Sequence, residues 1–133
     1  MIEYTDSAAG VEPEHLHGFF VGWTVTPTAE QHLAILRGSD HVVLAREGEQ
    51  VVGYVTAISD GVVSAFIPLL EVLPDYQGQG VGSELMRRML DLLERLYMVD
   101  LCCDAALEPF YQRFGMRTWD RGMGFRRPEA LGS

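Results

Sequence analysis

The sequence predicts a mixed α/β domain: four antiparallel strands, a central parallel strand–helix–strand unit, and a C-terminal hairpin. Three observations carry this. Apolar residues switch from a helical to a strand-like period near Asp40. A glycine-rich turn then opens the most regularly amphipathic helix of the chain, flanked by a strand on each side. With 133 residues there is room for one hydrophobic core, so a single domain is expected over 1–127, with 128–133 as a frayed tail.

The elements follow in order. Ile2 to Thr5 reads as a short edge strand. Glu12-Pro13-Glu14 is expected to open a helix through Leu16, Phe19 and Phe20, because proline suits a first turn and acids suit the positive helix end. Thr28-Ala29-Glu30-Gln31 has the capping-box form, Leu33 and Leu36 mark one face, and Arg37-Gly38 closes that helix. Val42–Ala45, Val51–Ile58 and Val62–Leu73 form an antiparallel meander, with Asp60-Gly61 as a two-residue hairpin turn. Pro68 cannot donate to a ladder, so a bulge or an edge is expected there. Val81, Leu85, Met89, Leu92 and Leu96 define the core stripe of the long helix, with Glu84–Arg88 and Asp91–Arg95 paired on the other side. Met98–Cys103 is a strand whose two thiols are expected to be buried. A short helix spans Leu107–Phe114, and Met116–Trp119 pairs with Met123–Arg126 as the hairpin.

Charge excludes some functions. There are 19 acids against 10 bases, and every base is arginine. Residues 1–75 hold eleven acids and two arginines, whereas 76–133 hold eight of each. Without clustered basic residues, a nucleic-acid partner and an anionic membrane are both disfavoured. No apolar run approaches the roughly 20 residues of a membrane span. The start Met1-Ile2-Glu3-Tyr4 has neither a basic nor an apolar leader region, so a cytoplasmic location is expected. His15 and His17 are two apart and share no helix face, so no metal site is expected.

The turn Gln77-Gly78-Gln79-Gly80-Val81-Gly82-Ser83 points to an anion. The first amides of a helix lack internal partners, and glycine lets backbone approach a phosphate closely. A P-loop needs a lysine, which this chain lacks. A dinucleotide fingerprint needs G-x-G-x-x-G and is missed by one residue. Asp100 falls about where a ribose-binding acid would, so a dinucleotide-dependent oxidoreductase stays open at this point.

Gln77-x-x-Gly80-x-Gly82 also resembles the Gln/Arg-x-x-Gly-x-Gly/Ala motif of the GNAT superfamily of acyl-CoA-dependent N-acetyltransferases. Phe110-Tyr111-Gln112-Arg113-Phe114-Gly115-Met116 is similar to that superfamily's C-terminal Phe-Tyr-x-x-x-Gly-Phe helix. Within it, Tyr76-Gln77-Gly78-Gln79-Gly80 and the hairpin ending near Pro128 resemble the compact branch that includes plant-type serotonin N-acetyltransferases.

The resemblance implies acetyl-CoA as donor and a primary amine of a small molecule or peptide as acceptor. Gln77, Gly78, Gln79, Gly80, Val81, Gly82 and Ser83 would bind the coenzyme pyrophosphate through their amides. Val72 and Leu73, at the end of the bulged strand, would pair with the pantetheine arm. Tyr111 would be the general acid for the leaving thiolate, since a phenol stays protonated at neutral pH. Glu71, a carboxylate in an otherwise apolar run, is the candidate base or cation attractor; the plain alternative is a solvated strand-edge acid. Arg87 and Arg88 are plausible cations near the phosphates. Phe19, Phe20, Trp23 and Tyr54 are candidate walls of an amine pocket or, more plainly, core. Where the superfamily often has Asn after the fifth strand, Asp104-Ala105 stands here. Homodimerisation is a habit of the superfamily. A non-catalytic acyl-CoA sensor on the same fold is the alternative function.

Overall fold

A computed structural model describes residues 1–132. One five-stranded sheet runs β1 (Glu3–Thr5), β2 (His41–Glu47), β3 (Gln50–Ser59), β4 (Ser64–Val72) and β5 (Met98–Asp100), with neighbours in chain order. The first three pairings are antiparallel and β4–β5 is parallel. Helix α1 (Ala29–Gly38) packs on one face. Helix α2 (Val81–Leu92) and the short α3 (Glu108–Gln112) pack on the other.

Each layer follows from its sequence. The α1 cap forms as expected: Thr28 Oγ1 accepts from Gln31 N at 3.0 Å, and Gln31 Oε1 accepts from Thr28 N at 2.8 Å. Leu33 and Leu36 of α1 join Val42, Leu44, Val51 and Tyr54 in one cluster. On the opposite face Val81, Leu85, Met86, Met89 and Leu93 pack on Val43, Val55, Ala57, Ala65 and Ile67. Alternation along each strand sends successive side chains to the two layers. The α2 stripe falls one residue later than the sequence suggests, so Leu93 is buried and Leu92 is 38% exposed. Arg88 pairs with Glu84 as expected, but Asp91 pairs with Arg87 rather than with Arg95.

The bulge at Pro68 is present. Thr56 pairs with Leu69 and Ile58 with Phe66, so β4 spends one residue more than β3 across Ile67-Pro68. The hairpin loop differs from a two-residue turn. Residues 60–63 form the connection, and Asp60 Oδ1 accepts the amides of Val62, Val63 and Ser64 at 2.8–3.1 Å. A carboxylate that satisfies three amides makes the longer loop self-sufficient, and holds the Asp60 carboxyl below its usual range.

Four further expectations are corrected. Residues 12–20 form only a 3-10 turn over Pro13–His15. Gly18 at φ 87° and Phe20 at φ 64° leave helical space, and the Phe20 and Val21 amides bond to Glu71 instead. The strand at 98 ends at Asp100, and Cys102 and Cys103 are exposed beyond it. The C-terminal hairpin does not form: residues 116–127 carry no strand, and Trp119, Met123 and Phe125 are exposed. Asp120-Arg121-Gly122 gives three residues without a fixed turn, and the alternation on either side is too short to bury a face. Residues 129–132 form a helical turn, α4 (Glu129–Gly132), where a frayed tail is expected; Ser133 lies outside the described residues.

Candidate functional site

Chain leaves β4 through a 3-10 turn at Pro74–Tyr76 and enters α2 across the glycine turn. Gly78 and Gly80 have φ of 77° and 85°, which an L side chain adopts only at a cost. Gly80 is the N-cap of α2, and no side chain caps this helix. Its first closed backbone bond runs from Glu84 N to Gly80 O at 3.0 Å. The amides from Gly78 to Ser83 have no acceptor among the described residues. Such a run of acceptor-free donors at a helix N-terminus suits a polyanion. Gln77 and Gln79 serve differently. Gln77 Nε2 donates to Val72 O at 2.9 Å and Gln79 Nε2 to Asp75 O at 3.2 Å, so both side chains brace the turn; Gln77 N donates to Pro74 O at 3.3 Å, so against expectation its amide is not one of the free donors.

Beside the turn, the sheet is open. β5 pairs only with Ser64, Ala65 and Phe66 of β4. Past the Pro68 bulge, the outer edge of β4 has no strand beside it among the described residues. Leu73 N donates to Val52 O at 2.9 Å, so in the antiparallel alternation Leu73 and Glu71 face β3 while Leu70 and Val72 face the open edge. Through its amide Val72 is therefore open to an extended ligand, although its carbonyl already accepts from Gln77 Nε2. Leu73 is not, because its amide is already committed to β3.

Glu71 is half-buried and hydrogen-bonded. Its carboxylate accepts from Phe20 N at 2.9 Å, from Val21 N at 3.2 Å and from Tyr54 Oη at 3.5 Å. Burial and the facing Glu71 charge push the Tyr54 phenol far up. Phe19, Phe20, Tyr54 and His32 stack edge to face at 4.6–5.2 Å. Tyr54 is fully buried and Phe19 and Phe20 nearly so; Trp23 alone of the four aromatic candidates is half exposed. The plainer reading therefore holds for Phe19, Phe20 and Tyr54, which are core.

Tyr111 belongs to α3 and packs with Phe110, Phe114 and Met116 against the α2 layer. Burial, and next Cys103, raise its phenol pKa above the ordinary value. It accordingly holds its proton at neutral pH. Glu71 and Tyr111 thus sit on opposite layers of the sheet, with the open edge of β4 between them. Phe110 also lies 3.6 Å from where a Cβ on Gly82 would stand, so α3 is packed directly on the first turn of α2.

The arginines are arranged differently from expectation. Arg87 and Arg88 are engaged by Glu84 and Asp91 along α2, and Arg88 lies over the Tyr4 ring at 4.9 Å, away from the turn. Sequence reasoning missed the arginine that does reach the cradle. Arg113 Nη2 donates to Ser83 Oγ at 2.8 Å. The only signal for it was its place inside the Phe110–Met116 motif. A cleft of about 400 Å³, lined by Asp6, Arg37, Asp40 and His41, lies at the C-terminal end of α2. The twelve-residue helix separates it from the glycine turn by roughly 18 Å, so it is apart from this site.

Comparison with known proteins agrees with this geometry. The family model described as "Acetyltransferase (GNAT) family" matches residues 9–116. The chain belongs to the GNAT acetyltransferase family. A solved structure from Deinococcus radiodurans R1, provisionally named an acetyltransferase, is 46% identical with a TM-score of 0.92, covering 96% of this chain and 90% of that one. A GNAT-family acetyltransferase from Streptococcus pneumoniae TIGR4 is 32% identical with a TM-score of 0.78, covering 96% of this chain and 98% of that one. Among curated proteins, the acetoin utilization protein AcuA of Bacillus subtilis (strain 168) is 34% identical over 107 residues, 67% of this chain. An uncharacterized N-acetyltransferase, ycf52, of Gracilaria tenuistipitata var. liui is 30% identical over 103 residues, 74% of this chain. The chain spans about half the length of these curated relatives, 51% and 57%. The dinucleotide reading is set aside, because a sheet with a single parallel pair at its edge is not doubly wound.

Proposed function

We propose that this chain transfers the acetyl group of acetyl-CoA to a primary amine of a small molecule or peptide. The observation that carries the reading is the run of acceptor-free amides from Gly78 to Ser83 beside a strand edge that has lost its neighbour. The cradle suits a diphosphate, and the open edge suits an extended amide-bearing arm that hydrogen-bonds as an added strand. Acetyl-CoA supplies the activated acyl carbon. The amine nitrogen forms a bond to that carbon, the carbon–sulfur bond breaks, and the sulfur takes the Tyr111 proton. The amine's own proton leaves to Glu71 directly, through water, or to solvent. Tyr111 is then reprotonated from water. No residue becomes acylated.

Thermal unfolding with saturating acetyl-CoA, followed by thiol release across a panel of amines, tests the reading. A rise in melting temperature is expected with acetyl-CoA and not with NADH. Thiol release with at least one amine should fall about 10²–10⁴-fold in Tyr111→Phe. Glu71→Gln should slow the amine step and leave acetyl-CoA binding intact. No stabilisation by acetyl-CoA sinks the proposal. Binding without turnover of any amine would favour a non-catalytic acyl-CoA sensor. Full activity of Tyr111→Phe across pH 6–9 would remove the acid assignment alone.

A further inference from the structure

Two guanidiniums expected near the phosphates, Arg87 and Arg88, are held by the carboxylates of their own helix. Arg113, thirty residues further along the chain than Ser83, stands at the cradle instead. It is exposed, and no carboxylate among the described residues lies within ion-pair distance of it. Its position is fixed by three contacts. Ser83 Oγ accepts from Nη2 at 2.8 Å, and the guanidinium carbon lies 5.2 Å from the Phe110 ring centre and 6.0 Å from that of Phe114. Phe110 in turn packs beside Gly82. The charge is therefore mounted on the aromatic face of α3 and tied to the third residue of α2, whose amide belongs to the cradle.

We propose that Arg113 is a diphosphate-binding residue of the coenzyme site, completing with a side-chain cation what the 78–83 amides begin. The proposal rests on the coenzyme reading above. A guanidinium has five N–H donors in a planar fork, and Ser83 takes one. The others are left to bind phosphate oxygens without giving up the serine. An uncapped helix N-terminus and a fixed cation act on the same anion. Neither group needs reorganisation when the ligand arrives, because aromatic packing and the serine have already ordered the arginine. A structural strut between α2 and α3 would serve equally well with a neutral donor. A binding residue would not.

Three acetyl donors separate these possibilities: acetyl-CoA, its 3′-dephospho form, and S-acetylpantetheine, which carries no phosphate. Each is used with the full chain and one fixed amine, and with Arg113→Ala and Arg113→Gln. For acetyl-CoA and the 3′-dephospho donor, both variants should raise KM roughly ten- to a hundredfold with little change in kcat, the loss expected for a charged hydrogen bond. For S-acetylpantetheine, kcat/KM should match that of the unaltered chain, which also shows that the variants fold. An equal fall with all three donors would make Arg113 a structural strut and overturn the proposal. So would no fall with any donor, or a fall that disappears with the 3′-dephospho donor. Failure of the unaltered chain to use or bind acetyl-CoA would instead overturn the coenzyme reading itself.

Discussion

His32 is a tightly enclosed titratable side chain. It is 1% exposed, its Nε2 has no hydrogen-bond partner among the described residues, and the rings of Phe19, Phe20 and Tyr54 lie against it. Burial lowers its pKa from 6.5 to about 4. The sign follows directly. Between those values the unfolded chain binds a proton that the folded chain refuses. The neutral histidine costs nothing above about pH 6.5, and stability is lost as pH falls from there toward 4. Urea unfolding at pH 7, 6 and 5 should show a decline approaching about 1.4 kcal/mol per pH unit, which His32→Leu should largely abolish. An equal decline in His32→Leu would assign it to other groups. Little of this was legible in the sequence. The four histidines looked uninformative because a buried imidazole and an exposed one read alike. Glu71 stands out in the sequence as a carboxylate in an apolar run, but its hydrogen bonding depends on Phe20 turning its amide back from a distant part of the chain. Arg113 escaped for the same reason: its meaning lies in Ser83, on another element.

Legibility was greater for elements, and uneven. α1, the meander, the Pro68 bulge and α2 could all be read, because each is set by a local rule: a capping box, a two-residue alternation, a missing N–H, a helical stripe. The 12–20 helix and the C-terminal hairpin could not, because tertiary bonds claimed the first and nothing completed the second. The glycine turn allows a sharp test of what local rules are worth. Gly80 has open space around a new Cβ but a φ of 85°, so Gly80→Ala should lose about 1–2 kcal/mol through backbone strain alone. Gly82 lies within α2 at ordinary van der Waals distance from Phe110 and Val72. Gly82→Ala should be neutral, or stabilising by up to about 1 kcal/mol, because alanine is the better helix former. Urea midpoints decide it; a larger loss at Gly82 than at Gly80 would refute the assignment of strain to the cap.

Across the whole molecule, the charge division noticed in the sequence maps onto the chain's layout. The acidic first half builds α1 and β1–β4, and the neutral second half builds α2, β5 and α3. The two halves are joined unequally. β3 meets β4 along nearly all its length, whereas β4 and β5 share three register pairs. Everything after Asp100 is fastened by side chains: Phe110, Tyr111, Phe114 and Met116 lie on the α2 layer, and Arg113 reaches Ser83. Segments held by side chains rather than by ladders open at lower free energy than the body of a fold. Amide exchange in 105–116 should therefore be faster than in β2 and β3, and should slow when acetyl-CoA is added. Uniform protection before addition would contradict this.

The brevity of the β4–β5 ladder then acquires a second meaning. The residues proposed for the acid and for the diphosphate, Tyr111 and Arg113, ride together on the least tethered part of the chain. Whatever loosens α3 from α2 moves both groups at once, so a change that unseats this short helix, unlike loss of the Arg113 side chain alone, would weaken donor binding and slow the acyl step together.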